Sequence, residues 1–145
     1  MIMPISRQYS LSRDKNGLCF TTRDMVAEYF KKKFVGLIVE TVFVLCLDNK
    51  GKLLDCAMIS EGDEISVSVS ARTVVEEVFK NKATVVAIAH NHPRGTALPS
   101  PADIMVTKNI SRALKNLNIQ FLDHIIVADG DCISMAQSAE YMDIF

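Results

Sequence analysis

The chain has 145 residues, 49% of them apolar and 23% charged, which suits one globular domain with a real hydrophobic core and little else. A formal charge of −1 gives no overall field to attract nucleic acid, so any such contact needs a local basic patch. The longest apolar runs are about five to seven residues, too short for a membrane span, and MIMPISRQYS lacks the basic start and apolar stretch of a secretory leader, so a cytoplasmic location is expected.

Residues 1–19 show no clear period and read as an N-terminal extension or edge element before a domain over 20–145. TTRDMVAEYFKKKF (21–34) predicts a helix. Thr21 followed by Asp24 resembles a weak cap, and Met25, Val26, Tyr29 and Phe30 form one apolar face. Residues 37–47 predict a strand that is apolar on both parities, hence covered on both sides. Asp48-Asn49-Lys50-Gly51 reads as a turn, and Lys52–Ile59 as the returning hairpin partner. Residues 60–70 are polar, turn-rich and then extended, with Ser66, Ser68 and Ser70 alternating along one face near a cleft. Residues 71–82 predict a helix with Val74, Val75, Val78 and Phe79 inward, and residues 83–90 a short strand with no polar side chain before His90. Ser100 and Pro101 read as the N-cap and first-turn proline of a helix over Asp103–Leu117, with Ile110, Ala113, Leu114 and Leu117 inward. Residues 119–136 give a strand, a turn at Asp129-Gly130 and a short return. The order helix, hairpin, helix, strand, helix, hairpin predicts an α/β protein with one mixed sheet flanked by helices.

The chemistry concentrates in HNHPRGTALPSPAD, residues 90–103. His90 and His92 are two apart, so on an extended backbone both imidazoles point to one side. Pro93 limits continuation of the ladder, and Gly95, Pro99 and Pro101 stiffen a loop that delivers Asp103 at a helix start. Two histidines and an aspartate make a three-ligand set of the kind that catalytic zinc sites use, with a fourth position left for water. Glu40 is a carboxylate in an apolar strand, and such a charge needs a partner or a metal. Burial and a nearby cation act on its protonation in opposite senses, which suits a general base. Ser100 has two candidate duties, capping the helix or donating to an oxyanion, and one side chain is expected to serve only one of them well. Asp103 alone would be an ordinary first-turn acid, and Glu40 alone a charge that discourages edge pairing. His124 reads as a core residue or as one that orients a ligand, with Asp123 a weaker candidate for that job. The four cysteines, Cys19, Cys46, Cys56 and Cys132, form no CxxC pair and read as free thiols.

HNHPRGTALPSPAD, ETVFVLCLDNKGKLLD with the ISEGD after it, and LDHIIVADG with its ISM tail resemble the RadC branch of the JAB/MPN metalloprotease-like domains, over residues 20–136. The resemblance implies a three-layer α/β/α, cytidine deaminase-like fold. It implies one zinc ion per chain held by His90, His92 and Asp103 in a JAMM motif, with Glu40 as general acid/base and Ser100 at the oxyanion. Relatives outside the RadC branch cleave peptide or isopeptide bonds, so a protein or peptide substrate is implied. Arg94 stands where RadC members commonly have serine, which implies an altered substrate contact. Members usually carry an N-terminal helix-hairpin-helix region. Only about 20 residues precede the resembling stretch, so DNA contact through such a region is expected to be absent.

Two functional readings follow. One is a zinc-dependent hydrolase of peptide, isopeptide or other amide bonds. The other is a non-catalytic or DNA-repair-associated metal-binding module that contacts protein or DNA, through the stripe Lys108, Arg112 and Lys115 or the cluster Lys31-Lys32-Lys33. Neither basic cluster has the interleaved aromatics of a single-strand binder. A nucleoside deaminase is excluded, because the HxE and PCxxC ligand pattern is missing.

Overall fold

In the computed structural model, which describes residues 18–62 and 69–145, the chain order is the expected one. Helix α1 (Arg23–Lys33) precedes the hairpin β1 (Thr41–Leu47) and β2 (Leu53–Glu61). Helix α2 (Ala71–Asn81) leads to β3 (Val85–Asn91), and α3 (Pro101–Asn116) leads to β4 (Gln120–Ala128) and β5 (Asp131–Ser134). The strands lie in the order β2-β1-β3-β4-β5. All neighbours are antiparallel except β3 and β4, which run parallel with α3 as their crossover.

Strand alternation sorts the core into two layers. Val42, Val44, Cys46, Val86 and Ile88 face Val74 and Val78 of α2 and Ile110 and Leu114 of α3. Phe43, Leu45, Leu47, Ala87, Ala89, Ile125 and Val127 face Met25, Val26, Tyr29, Phe30 and Phe34. The sheet therefore lies between α1 on one side and α2 with α3 on the other, a three-layer fold, and β1 is buried at every position. The small Ala87 and Ala89 leave room on the α1 side for its aromatic side chains. Phe34 and Phe43 meet edge to face at 5.3 Å, and Phe20 and Tyr29 do the same at 5.3 Å.

Several boundaries differ from expectation for local reasons. The cap of α1 is Thr22, whose extended backbone lets its Oγ1 accept from Met25 N–H at 3.2 Å, while Thr21 Oγ1 contacts the Met25 sulfur. Strand β1 begins at Thr41, so Glu40 precedes the strand and is half-buried. Val75 is half-buried and Phe79 is 63% exposed, because the buried stripe of α2 runs through Val74 and Val78 and leaves Phe79 about 100° further round. Leu117 is partly exposed, at 39%, because it caps α3 and the chain turns away at Asn118, whose φ is +57°. Ser70 is the N-cap of α2, in a reciprocal box with Thr73, and Ser66 and Ser68 lie outside the described residues. Of the expected extension, Leu18 is buried and Cys19 bridges to Lys52, with Leu53 N–H donating to Leu18 O at 2.9 Å. Gly51 is required there: its φ is +84°, and a Cβ would fall 2.1 Å from Phe20 O. Among the described residues no helix is long and apolar enough to cross a membrane.

Phe30 is fully buried at the centre of the α1 layer. Phe30→Ala should cost about 3–5 kcal/mol in urea-melt stability, whereas Phe79→Ala should stay within about 0.5 kcal/mol of the parent.

Candidate metal centre

The end of β3 carries the site. His90 lies across from Val42 on β1 and Ile126 on β4, and it is completely buried. The extended conformation runs on past the strand, because His92 N–H donates to Val127 O at 2.8 Å. Both imidazoles consequently project to the α2–α3 side of the sheet. Helix α3 then begins with Ser100 as N-cap and Pro101 in its first turn. Ser100 Oγ accepts from Asp103 N–H at 3.1 Å, and Asp103 Oδ2 accepts from Ser100 N–H at 2.8 Å. This reciprocal box turns the Asp103 carboxylate back toward the histidines.

The three side chains close a triangle. His90 Nε2 and His92 Nε2 are 3.0 Å apart, His90 Nε2 and Asp103 Oδ1 3.2 Å, and His92 Nε2 and Asp103 Oδ2 3.1 Å. A tetrahedral ion with ligand bonds of about 2.0–2.1 Å requires edges of about 3.3–3.4 Å. The His–His edge is a few tenths of an ångström short of that, and Asp103 meets the two histidines through different oxygens; with one donor atom from each side chain, the three lie within 4.8 Å of one another, close enough to share a small divalent cation. His92 is oriented for it: Nδ1 lies 2.7 Å from Thr96 O, a carbonyl that can only accept. Nδ1 therefore carries hydrogen, and the neutral ring presents the Nε2 lone pair to the site. Among the described residues this is the one group of three or more His, Cys, Asp or Glu side chains arranged to hold a metal. The four cysteines are thiols, and burial, then Glu77 and Asp55, pushes the Cys46 thiol up to about 12.

Electrostatics match the geometry. Burial, the largest single influence on Asp103, favours its neutral form, but the bonds from His90 and His92 outweigh it and hold the carboxyl well below the usual range. The bond to Asp103 raises His92 above its ordinary value, against the opposing effect of burial. Burial, then His90, lowers His124 well below the ordinary histidine value. In the metal-free fold the charged His92–Asp103 pair thus stabilises most below about pH 6.5, and its contribution fades as pH rises through the raised His92 value. Metal uptake has the opposite sign, since a cation competes with the proton on Nε2. Affinity should climb with pH through a midpoint above 6.5, the ordinary histidine value, in a chelator-competition titration.

The remaining candidates are placed unequally. Glu40 lines a cleft of about 450 Å³ together with His92, Pro93, Arg94 and Gly95. Among the described residues no hydrogen bond ties its carboxylate to the triangle, though its charge contributes to raising His92. Arg94 is exposed on that cleft's wall. Ser100 caps through an oxygen lone pair, and among the described residues its O–H has no acceptor, so the same side chain has a proton left to donate. His124 meets His90 directly, Nε2 to Nδ1, at 2.8 Å. Asp123 does not serve the ligands. Its carboxylate accepts from the His124 N–H, the Ala136 N–H and the Ser134 hydroxyl, tying β4 to β5 and the turn after it. Lys108, Arg112 and Lys115 line a larger cleft of about 560 Å³ between α3 and the C-terminal turn, apart from the histidines. Of the second basic cluster, Lys33 lies 4.8 Å from the centre of the Phe43 ring and Lys31 pairs with Glu28 at 3.4 Å.

Two further polar residues matter that the sequence pattern does not single out. Thr107, one turn beyond Asp103 in α3, is buried against His124. Asn91, between the two ligands, points to the other side. Its Oδ1 accepts from Thr41 N–H at 2.7 Å and its Nδ2 donates to Val39 O at 3.0 Å. These bonds grip the chain on both sides of Glu40 and extend the β1–β3 ladder with a side chain. A polar residue flanked by two same-side ligands is the one signal the sequence offers for it. Asn91→Ala leaves the buried Thr41 N–H without that partner, while Val39 O keeps its bond from the Thr41 hydroxyl, and should destabilise by about 1–3 kcal/mol in urea melts.

A mixed sheet between helix layers, with a His-x-His pair ending one strand and an aspartate opening the next helix, defines a JAB/MPN domain of the cytidine deaminase-like fold. The RadC-like JAB domain family matches residues 20–141, and the chain belongs to that family. It is 36% identical over 136 residues to the UPF0758 protein PSHAa2643 of Pseudoalteromonas translucida, covering 94% of this chain and 61% of that protein. A UPF0758 protein of Finegoldia magna is 36% identical over 131 residues, 90% of this chain and 59% of that one. A third, from Albidiferax ferrireducens, is 35% identical over 136 residues, 94% of this chain and 58% of that one. The chain spans about three-fifths of the length of these curated relatives.

Proposed function

We propose that the protein is a zinc-dependent hydrolase of peptide, isopeptide or related amide bonds. The observation that carries this reading is the His90–His92–Asp103 triangle, whose His92 opens onto the cleft that Glu40 also lines. Zinc bound by these three side chains would supply Lewis acidity, polarising the scissile carbonyl and making water more acidic. Glu40 takes the proton from the attacking water and returns it to the leaving amine, a role that its half-exposed position on the cleft wall permits. The uncommitted Ser100 O–H donates to the developing oxyanion while its oxygen continues to cap α3. Arg94, on the same wall, contacts the substrate beside the reacting bond.

The alternative, a metal-binding module that contacts DNA or protein, draws on Lys108, Arg112 and Lys115. Glu140 and Asp143 share their cleft and offset that charge, and Lys115 Nζ already donates to Ile144 O at 3.2 Å. The hydrolase reading is therefore preferred.

Glu40→Gln separates the two. Zinc-loaded parent should release fluorescence from quenched peptide or lysine-isopeptide libraries. Glu40→Gln should hold one zinc per chain yet lose about 10²–10⁴-fold in turnover. Undiminished turnover in that variant would rule out Glu40 as the base, and a parent that cannot be loaded with zinc would end the reading altogether.

A further inference from the structure

We propose that Thr107 and His124 form a directional relay that fixes the tautomer of His90 and so keeps its Nε2 lone pair turned toward the cation position. The inference rests on His90 acting as a ligand, but it concerns protons that are present with or without the ion. The relay begins at the main chain of α3. Thr107 Oγ1 lies 2.6 Å from Asp103 O, the carbonyl one turn back, and 2.6 Å from His124 Nδ1. A hydroxyl has one proton. At 2.6 Å two oxygens need a proton between them, and a carbonyl cannot supply it, so Thr107 donates to Asp103 O.

The second contact then has only one solution. The hydroxyl oxygen accepts, and His124 Nδ1 is the donor. His124 is fully buried, and neither ring nitrogen touches an anion, so the ring is neutral and Nε2 is a bare acceptor. The proton in the 2.8 Å contact between His124 Nε2 and His90 Nδ1 must therefore belong to His90. With Nδ1 protonated, Nε2 is the nitrogen left to offer a lone pair to a cation once the proton it shares with Asp103 is displaced, and it is the atom at the corner of the triangle. Every contact in the run from Asp103 O through Thr107 and His124 to His90 holds one proton and points the same way.

The two ligand histidines are thus set by different means. His92 is fixed by a carbonyl in its own loop, Thr96 O, whereas His90 is fixed through β4, by a histidine 17 residues downstream of Thr107. The relay also starts on the residue that supplies the third ligand. Asp103 offers its carboxylate to the cation position and its carbonyl to Thr107. Thr107 and His124 are positioning residues, acting through His90.

Removing the Thr107 hydroxyl without changing side-chain shape removes the reason for the direction. In Thr107→Val, His124 Nδ1–H has no acceptor. The ring gains by moving its proton to Nε2, and His90 must then accept on Nδ1 and protonate Nε2, where it opposes a cation. The tautomer is read in the metal-free protein by long-range ¹H–¹⁵N imidazole spectra, and affinity by zinc competition against a chromogenic chelator. His90 should be Nδ1-protonated in the parent and in Thr107→Ser, which keeps the hydroxyl, with matching zinc affinity. In Thr107→Val a His90 without the Nδ1 proton should appear and zinc should bind about 10–100-fold more weakly. A His90 that lacks the Nδ1 proton in the parent would overturn the relay, as would a folded Thr107→Val with parental Nδ1 protonation and affinity. Should Thr107→Val fail to fold, the parental spectrum and Thr107→Ser still decide. Since the spectra need no metal, a parent that takes up no zinc counts against the zinc reading, while the imidazole spectra still decide for or against the relay.

Discussion

An imidazole with no access to solvent has to find partners for both ring nitrogens inside the protein, and His90 is such a residue. That requirement organises the site. One nitrogen is satisfied by His124, which passes the demand to Thr107 and the main chain of α3. The other faces His92 and Asp103, where two nitrogen lone pairs and a carboxylate converge and a cation or a proton has to resolve their repulsion. The hydrophobic layers around β3 set the terms, because they exclude the water that would otherwise have solvated the ring.

The fold supplies the pieces from separate directions. β3 brings both histidines on one parity, and its parallel neighbour β4 carries His124 to lie across from Ile88. The crossover helix α3 returns Asp103 and Thr107 to the same place, one at its first turn and one a turn later. The antiparallel neighbour β1 contributes Glu40 just ahead of its first paired residue, gripped through Asn91. A helix start is a natural seat for the carboxylate, since its dipole favours negative charge there.

The element order and the ligand triangle are legible in the sequence because both rest on short-range patterns. The His-x-His parity, the Ser100-Pro101 helix start and the box with Asp103 are all decided within a few residues. Facing is less legible: Phe79 and Leu117 are apolar, yet one lies beside the buried stripe and the other beyond the last turn. The apolar pattern overruns the true start of β1 because residues 37–39 are apolar enough for a strand, while the ladder there is replaced by bonds to the Asn91 amide. The role of Thr107 is invisible for the same reason, and that of Asn91 is signalled only by its place between two same-side histidines. Each depends on a partner brought close only by folding, Thr41 in one case and His124 in the other. The two duties of Ser100 look exclusive only if a hydroxyl counts as a single bond, whereas its lone pair and its proton act separately.

The alternation along β3 has a consequence for how this stretch can vary. Val86 and Ile88 fill the α2–α3 side, while Ala87 and Ala89 lie under the aromatic side chains of the α1 layer. A slip of one residue would carry isoleucine and valine into space sized for alanine, an overpacking cost of about 1–3 kcal/mol at each site. The same slip would turn both imidazoles away from Asp103 and swing the Asn91 amide into their place. Side-chain volume thus acts as a ruler for chain length: the segment can exchange one apolar residue for another of similar size, but it cannot gain or lose one.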